Sequence, residues 1–164
     1  MKQNKSIYIA AVVCLVAVIV MVVALVKTGG RTEQSSFVPP EFDSTAVTGT
    51  PEPEDESWSR INQEGMGFSA HVCGKVVITD GTADLYFTND EGNEVWLKLR
   101  ITDGDGNILA ETGLLKPGEY VQTVTFDTVP EDGAAIQMKI MAYEPETYYS
   151  AGTVTLNTTV QIGG

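Results

Sequence analysis

The chain has 164 residues and a formal net charge of −12 at pH 7, from 22 acidic and 10 basic residues, and it contains a single histidine. This acidity disfavours nucleic acid and anionic lipid headgroups as partners. One histidine, without a recognisable phosphate loop, nucleophile or metal-ligand motif, argues against an enzyme and against a cofactor.

The first predicted element is a transmembrane helix over residues 7–26, an uninterrupted apolar run between Lys5 and Lys27. Twenty residues at about 1.5 Å each span about 30 Å, the hydrocarbon thickness of a bilayer. A cleaved secretory signal would have a shorter apolar region with small residues at a cleavage site, and a lipoprotein would need small residues before Cys14. The helix is therefore expected to hold the chain in the lipid bilayer.

Orientation depends on the charged flanks of this helix, which are nearly balanced in Lys and Arg. The short amino-terminal flank favours an inside amino terminus under the positive-inside rule. Residues 1–6 are then cytoplasmic, and the chain is a single-pass signal anchor of the cell membrane with its carboxyl-terminal domain outside. All acidic residues lie after Lys27, on the outer side.

Residues 27–64 are predicted to form a flexible linker, because they are rich in proline and glycine and contain the acidic run 52–56. Such a composition buries too little apolar surface to offset the entropy of ordering. Phe37 and Phe42 flank a Pro-Pro pair in this stretch, and an extended Pro-rich segment suits docking onto a groove or a sheet edge. Incidental exposure of the two rings is the alternative.

Residues 65–164 are predicted to form an all-β domain, since short runs of period-two alternation are separated by Gly, Asp, Asn and Pro turns. The candidate strands are 68–73, 76–79, 83–88, 95–102, 108–111, 120–126, 135–143 and 153–162. Seven or eight strands in about 100 residues indicate a β-sandwich. Cys73, a lone cysteine in the first of these strands, is expected to be buried and inert.

Asp103, Asp105 and Asn107 place three oxygen-bearing side chains at alternate positions, as calcium loops do. An EF-hand loop would continue with Gly at position 108 and a carboxylate at position 114, where this chain has Ile108 and Leu114. A hairpin between two strands explains the same residues. No metal is therefore predicted, and these three residues are kept only as an alternative metal site.

The loop between the two longest predicted strands contains three tyrosines, two carboxylates and a proline. Loops at a sandwich end are common binding surfaces, and tyrosine adds contact area at low entropic cost. The alternative is a tyrosine that packs over the sandwich end. The candidate binding residues are Tyr143, Tyr148 and Tyr149 of this loop, the outward-facing Trp96, and Phe37 and Phe42.

Residues 83–143 also resemble a known family. An Asn follows the strand Leu85–Thr88, Asp105–Leu109 follows the strand Val95–Ile101, and the turn Leu115–Glu119 precedes Val124–Phe126. In these features the segment is similar to bacterial extracytoplasmic immunoglobulin-like domains of adhesion and surface proteins. With its anchor and linker, the whole chain resembles short single-pass surface proteins of Gram-positive bacteria. The resemblance implies an immunoglobulin-like sandwich and a surface location, and it transfers no functional residues.

Together these features predict a membrane-anchored extracytoplasmic binding or scaffold module, an accessory of a surface or secretion assembly, whose protein or cell-surface partner is unknown. The alternative is a small subunit of a membrane machine in which the transmembrane helix is the working part. The small residues Ala10, Ala11, Ala17 and Ala24 would permit close helix packing in that case.

Overall fold

A computed structural model describes residues 37–61 and 65–163. The chain divides into two units, Met1–Val38 and Pro39–Gly164, and every strand of the described residues belongs to the second unit. The predicted cytoplasmic segment, the predicted transmembrane helix and linker residues 27–36 lie outside the described residues. Among the residues that are described, no helix is long and apolar enough to cross a bilayer.

The described part of the chain contains ten strands and no helix. They are β1 (Val47–Thr48), β2 (Trp58–Ile61), β3 (Ala70–Cys73), β4 (Val76–Ile78), β5 (Thr82–Asn89), β6 (Trp96–Asp103), β7 (Ile108–Glu111), β8 (Glu119–Thr125), β9 (Ala135–Tyr143) and β10 (Ser150–Ile162). The first sheet has the order β1-β8-β5-β3-β2, and the second has the order β4-β10-β9-β6-β7. The all-β class is thereby confirmed.

The eight strands predicted from alternation are all present, as β3 to β10, with ends shifted by three residues or fewer. Alternation predicted them well because each strand has one face on the core. In β6, Leu97, Leu99 and Ile101 are fully buried, whereas the residues between them are partly exposed. Buried side chains from both sheets form one apolar core, so the arrangement is sandwich-like.

The stretch predicted as a linker differs from the structure between Pro39 and Ile61, where it contributes β1 and β2 to the first sheet. Trp58 and Ile61 pack against the core. Further upstream, the Leu114 amide donates to the Glu41 carbonyl at 2.9 Å. A few apolar side chains and backbone hydrogen bonds thus hold a segment whose average composition is polar. Average composition does not reveal such individual contacts.

One stretch of chain passes from the first sheet to the second. β3 pairs with β5 in the first sheet, and after Gly74 and Lys75 the chain continues as β4, which pairs in parallel with β10 in the second. Cys73, at the end of β3, is buried as predicted. Burial raises the pKa of its thiol to about 11, with a further contribution from Asp55, so the reactive thiolate is scarce at neutral pH.

Candidate functional site

Three aromatic side chains from distant parts of the sequence meet at one end of the second sheet, and we call Phe42, Trp96 and Tyr148 the aromatic cluster. The ring centroids of Phe42 and Trp96 lie 4.8 Å apart at an interplanar angle of 77°. Those of Trp96 and Tyr148 lie 5.2 Å apart at 61°. Edge-to-face pairs at such distances stabilise aromatic contacts beyond simple burial of area. The Lys116 ammonium also lies 4.8 Å from the Phe42 ring centroid, in a cation–π contact.

Strand geometry places Trp96 in this cluster. Val95 and Leu97 on either side of it are buried, so period-two alternation directs the indole away from the core. Trp96 opens β6 and lies directly opposite Tyr143, the last residue of β9. Phe42 belongs to the segment before β1, and an isolated parallel bridge with Leu114 holds it in place.

The loop from Tyr143 to Tyr149 is closed by its own backbone. The Glu144 amide donates to the Tyr149 carbonyl at 2.8 Å, and the Tyr148 amide donates to the Glu144 carbonyl at 3.0 Å. Glu146 and Tyr148 have φ angles of 65° and 57°, in the left-handed region that costs free energy for residues other than glycine. The loop thus holds Tyr148 against Trp96 in a fixed conformation at an energetic cost.

The structure brings three of the six candidate binding residues together, and it gives the other three different settings. Tyr143 is the cross-strand neighbour of Trp96. Tyr149 is 74% exposed, which leaves most of its ring available for contact. Phe37 belongs to the unit Met1–Val38 and is 64% exposed. The role of all six in binding stays a prediction.

Asp103, Asp105 and Asn107 form the turn of the β6–β7 hairpin, as predicted. The Asp103 carboxylate accepts hydrogen bonds from the Asp105 and Asn107 amides and from the Asn107 side chain, at 2.8–2.9 Å. The Asn107 side-chain bond and then its backbone bond lower the pKa of Asp103. Within the described residues, no group of three or more His, Cys, Asp or Glu side chains is placed to hold a metal ion. The Asp103 carboxylate oxygens are used in hydrogen bonds within the turn.

A second feature, which alternation alone did not identify, lies on the face of the second sheet that points away from the core. Lys98 and Arg100 of β6 and Lys139 of β9 all lie on this outer face, and we call them the basic row. Arg100 is directly opposite Lys139, and on its other side it is directly opposite Glu111 of β7. The sequence shows that these residues face outward, but the register that makes them neighbours is set by long-range pairing.

Glu111 forms ion pairs with two residues of the basic row. Its Oε1 lies 2.8 Å from Lys98 Nζ and its Oε2 lies 2.9 Å from Arg100 Nε. Partial burial raises the pKa of Glu111, but the hydrogen bonds and charges of Lys98 and Arg100 outweigh this effect and lower it. Glu111 is therefore ionised at neutral pH and fixed between two cations.

A cleft of about 500 Å³ lies beside the first sheet, lined by residues that include Trp58, His71, Thr88 and Glu91. His71 Nδ1 lies 2.7 Å from a carboxylate oxygen of Asp90, and the His71 ring stacks on Trp58 with centroids 4.5 Å apart. These contacts join the edge strand β2 to β3, and β3 to Asp90, the residue after β5. His71 thus connects neighbouring parts of the first sheet.

No protein-family model matches the chain, and no curated protein matches it.

Proposed function

We propose that this chain is a membrane-anchored extracytoplasmic binding module, and that it recognises a protein or cell-surface partner through the aromatic cluster and the Tyr143–Tyr149 loop. The observation that carries the proposal is the convergence of Phe42, Trp96 and Tyr148 beside a loop held in a strained conformation. Backbone strain of this kind is concentrated at binding and switch sites, where it fixes a productive geometry in advance.

The chemistry of the cluster supports recognition of another macromolecule. Trp and Tyr are enriched among the residues that dominate binding energy, because they bury a large area and lose little conformational entropy. Here Trp96 and Tyr148 are already held by edge-to-face contacts, while Tyr149, which follows Tyr148 in the sequence, is largely exposed. A partner would meet a rigid aromatic base with one exposed ring available for contact.

The order of strands supports the finer assignment of an immunoglobulin-like sandwich. In variable-type immunoglobulin domains one sheet contains the strands C″, C′, C, F and G, and the other contains A, B, E and D. The neighbours β7, β6, β9 and β10 follow the order C′, C, F and G, and β3, β5 and β8 follow the order A, B and E, whereas β1 lies where D would be. The aromatic cluster would then lie on the sheet that contains C, F and G.

The anchor and the outer location rest on the sequence. The apolar run over residues 7–26 has the length of a bilayer crossing, and the acidic residues all follow it. We therefore place the chain in the cell membrane, amino terminus inside, as an accessory of a surface or secretion assembly. Protease treatment of intact cells should digest the carboxyl-terminal domain, and a chain without residues 1–30 should leave the membrane fraction. A protected domain would contradict this orientation.

The binding surface is tested by replacing two loop tyrosines. The double variant Tyr148→Ala/Tyr149→Ala, compared with the control Tyr120→Ala on the first sheet, should lose capture of a cell-surface partner identified by crosslinking on intact cells. Thermal unfolding should change little, since the loop lies outside the core. Capture equal to that of the control variant would remove the loop as the recognition surface.

A further inference from the structure

The basic row stands out against the charge of the domain around it. The described residues carry 20 carboxylate side chains and six Lys and Arg side chains, and three of those six are Lys98, Arg100 and Lys139 on one sheet face. One carboxylate, Glu111, pairs with two of them. The outer face of the second sheet is therefore locally positive in a strongly acidic domain.

Arg100 and Lys139 are like charges at directly opposite positions of the sheet, and only Arg100 has a carboxylate partner among the described residues. Residues directly opposite in antiparallel strands have Cβ atoms about 4.5–5.5 Å apart, and like charges at such positions are destabilising. Lys139 is exposed, lies between Arg100 on β6 and Thr155 on β10, and makes no ion pair with a described residue. Carboxylates are abundant in this chain, yet none in its described part pairs with Lys139 to relieve the repulsion.

Local arrangements that oppose stability without compensation are expected at functional sites. We propose that the basic row binds an extended acidic segment of a partner polypeptide, whose carboxylates supply the charge that the row lacks. This inference rests on the proposed binding function and adds the chemical class of the partner.

The geometry of the face fits such a segment. Lys98 and Arg100 are two residues apart on β6, so about 6.6 Å separates them, which is also the spacing of alternate side chains in an extended peptide. Arg100 donates to Glu111 through Nε, and its guanidinium has further donors that can bind a second carboxylate.

The aromatic end of the face favours a polypeptide over a polyanion without side chains. Trp96 and Lys98 are two residues apart on β6, so both side chains lie on the outer face of the sheet. Tyr143, at the end of β9, lies opposite Trp96. An acidic segment with one apolar residue at its end would place that residue on these rings and its carboxylates on the row. Electrostatic attraction would steer the encounter, and the apolar contact would slow dissociation.

The inference is tested with the full-length chain in nonionic detergent and a fluorescent octapeptide that has a leucine at one end and glutamates at alternate positions. Lys139→Glu should weaken peptide binding about tenfold, since it removes an attractive charge and adds a repulsive one. The matched control Lys75→Glu has the same change of charge outside the row and should leave the affinity within about twofold. A peptide with glutamine in place of glutamate should bind at least tenfold more weakly to the unaltered chain.

Several results would overturn the inference. Equal losses in both lysine variants would show that only overall charge matters, and undiminished binding of the glutamine peptide would show that charge does not matter. A dimer in sedimentation that dissociates on Lys139→Glu would mean that the row contacts a second copy of this chain. Failure of the peptide test with tyrosine-dependent partner capture intact would remove the acidic segment and leave the proposed binding function standing.

Discussion

Asn89, at the end of β5, connects parts of the chain that no local pattern brings together. Its side chain is fully buried, and its Nδ2 donates to the carbonyls of Val95 and Leu115 at 2.9 Å. Its Oδ1 accepts a hydrogen bond from the Asn93 side chain. One side chain thus fixes the start of β6, and with it the position of Trp96.

Replacing Asn89 with Ala should therefore lower the free energy of unfolding by about 2–4 kcal/mol, because the Val95 and Leu115 carbonyls each lose one donor, the Asn93 side chain loses an acceptor, and a cavity remains. Chemical denaturation measures this directly. Asn157→Ala, at an exposed position of β10, is the control and should change stability by less than about 0.5 kcal/mol. A loss for Asn89→Ala as small as that of the control would mean that water replaces the side chain without cost.

At the scale of elements, the pairing of β6 with β9 carries the like-charge pair of the basic row. Lys139→Glu should raise the free energy of unfolding by about 0.2–1 kcal/mol, since it replaces a repulsive cross-strand pair with an attractive one opposite Arg100. A double-mutant cycle with Arg100→Gln in urea denaturation isolates the local effect. A gain that is unchanged in the Arg100→Gln background would show that Arg100 and Lys139 do not repel in the folded sheet.

Alternation in the sequence was sufficient to locate β3 to β10 and to say which face of β6 and β9 is buried, because burial on one side imposes period two. It did not give the register that puts Trp96 opposite Tyr143 and Arg100 opposite Lys139. It also missed β1 and β2, which are short and lie in acidic, proline-rich surroundings. The contact of Phe42 with Trp96 depends on the bridge between Phe42 and Leu114, which no local pattern indicates, so the aromatic residues were named from the sequence but their contact was not.

At the scale of the whole molecule, the compact unit that contains all the described strands begins at Pro39. A fragment that starts at Pro39 should unfold cooperatively, whereas one that starts at Gly65 should have a melting temperature lower by about 10 °C or more, or should aggregate. The shorter fragment loses the packing of Trp58 and exposes the edge of β3. Equal melting temperatures in calorimetry would mean that residues 39–64 are a dispensable spacer.

The parallel pairing of β4 with β10 has a mechanical consequence for a chain that is pulled at its two ends. Tension that reaches β4 from its amino-terminal side, against a pull on the carboxyl terminus, moves Val76–Ile78 and Val160–Ile162 in opposite directions along their common axis. Their hydrogen bonds are then loaded together in shear instead of opening one after another. Single-molecule pulling should accordingly give one abrupt rupture, and Val77→Pro, which inserts a ring and removes a backbone donor there, should lower the rupture force.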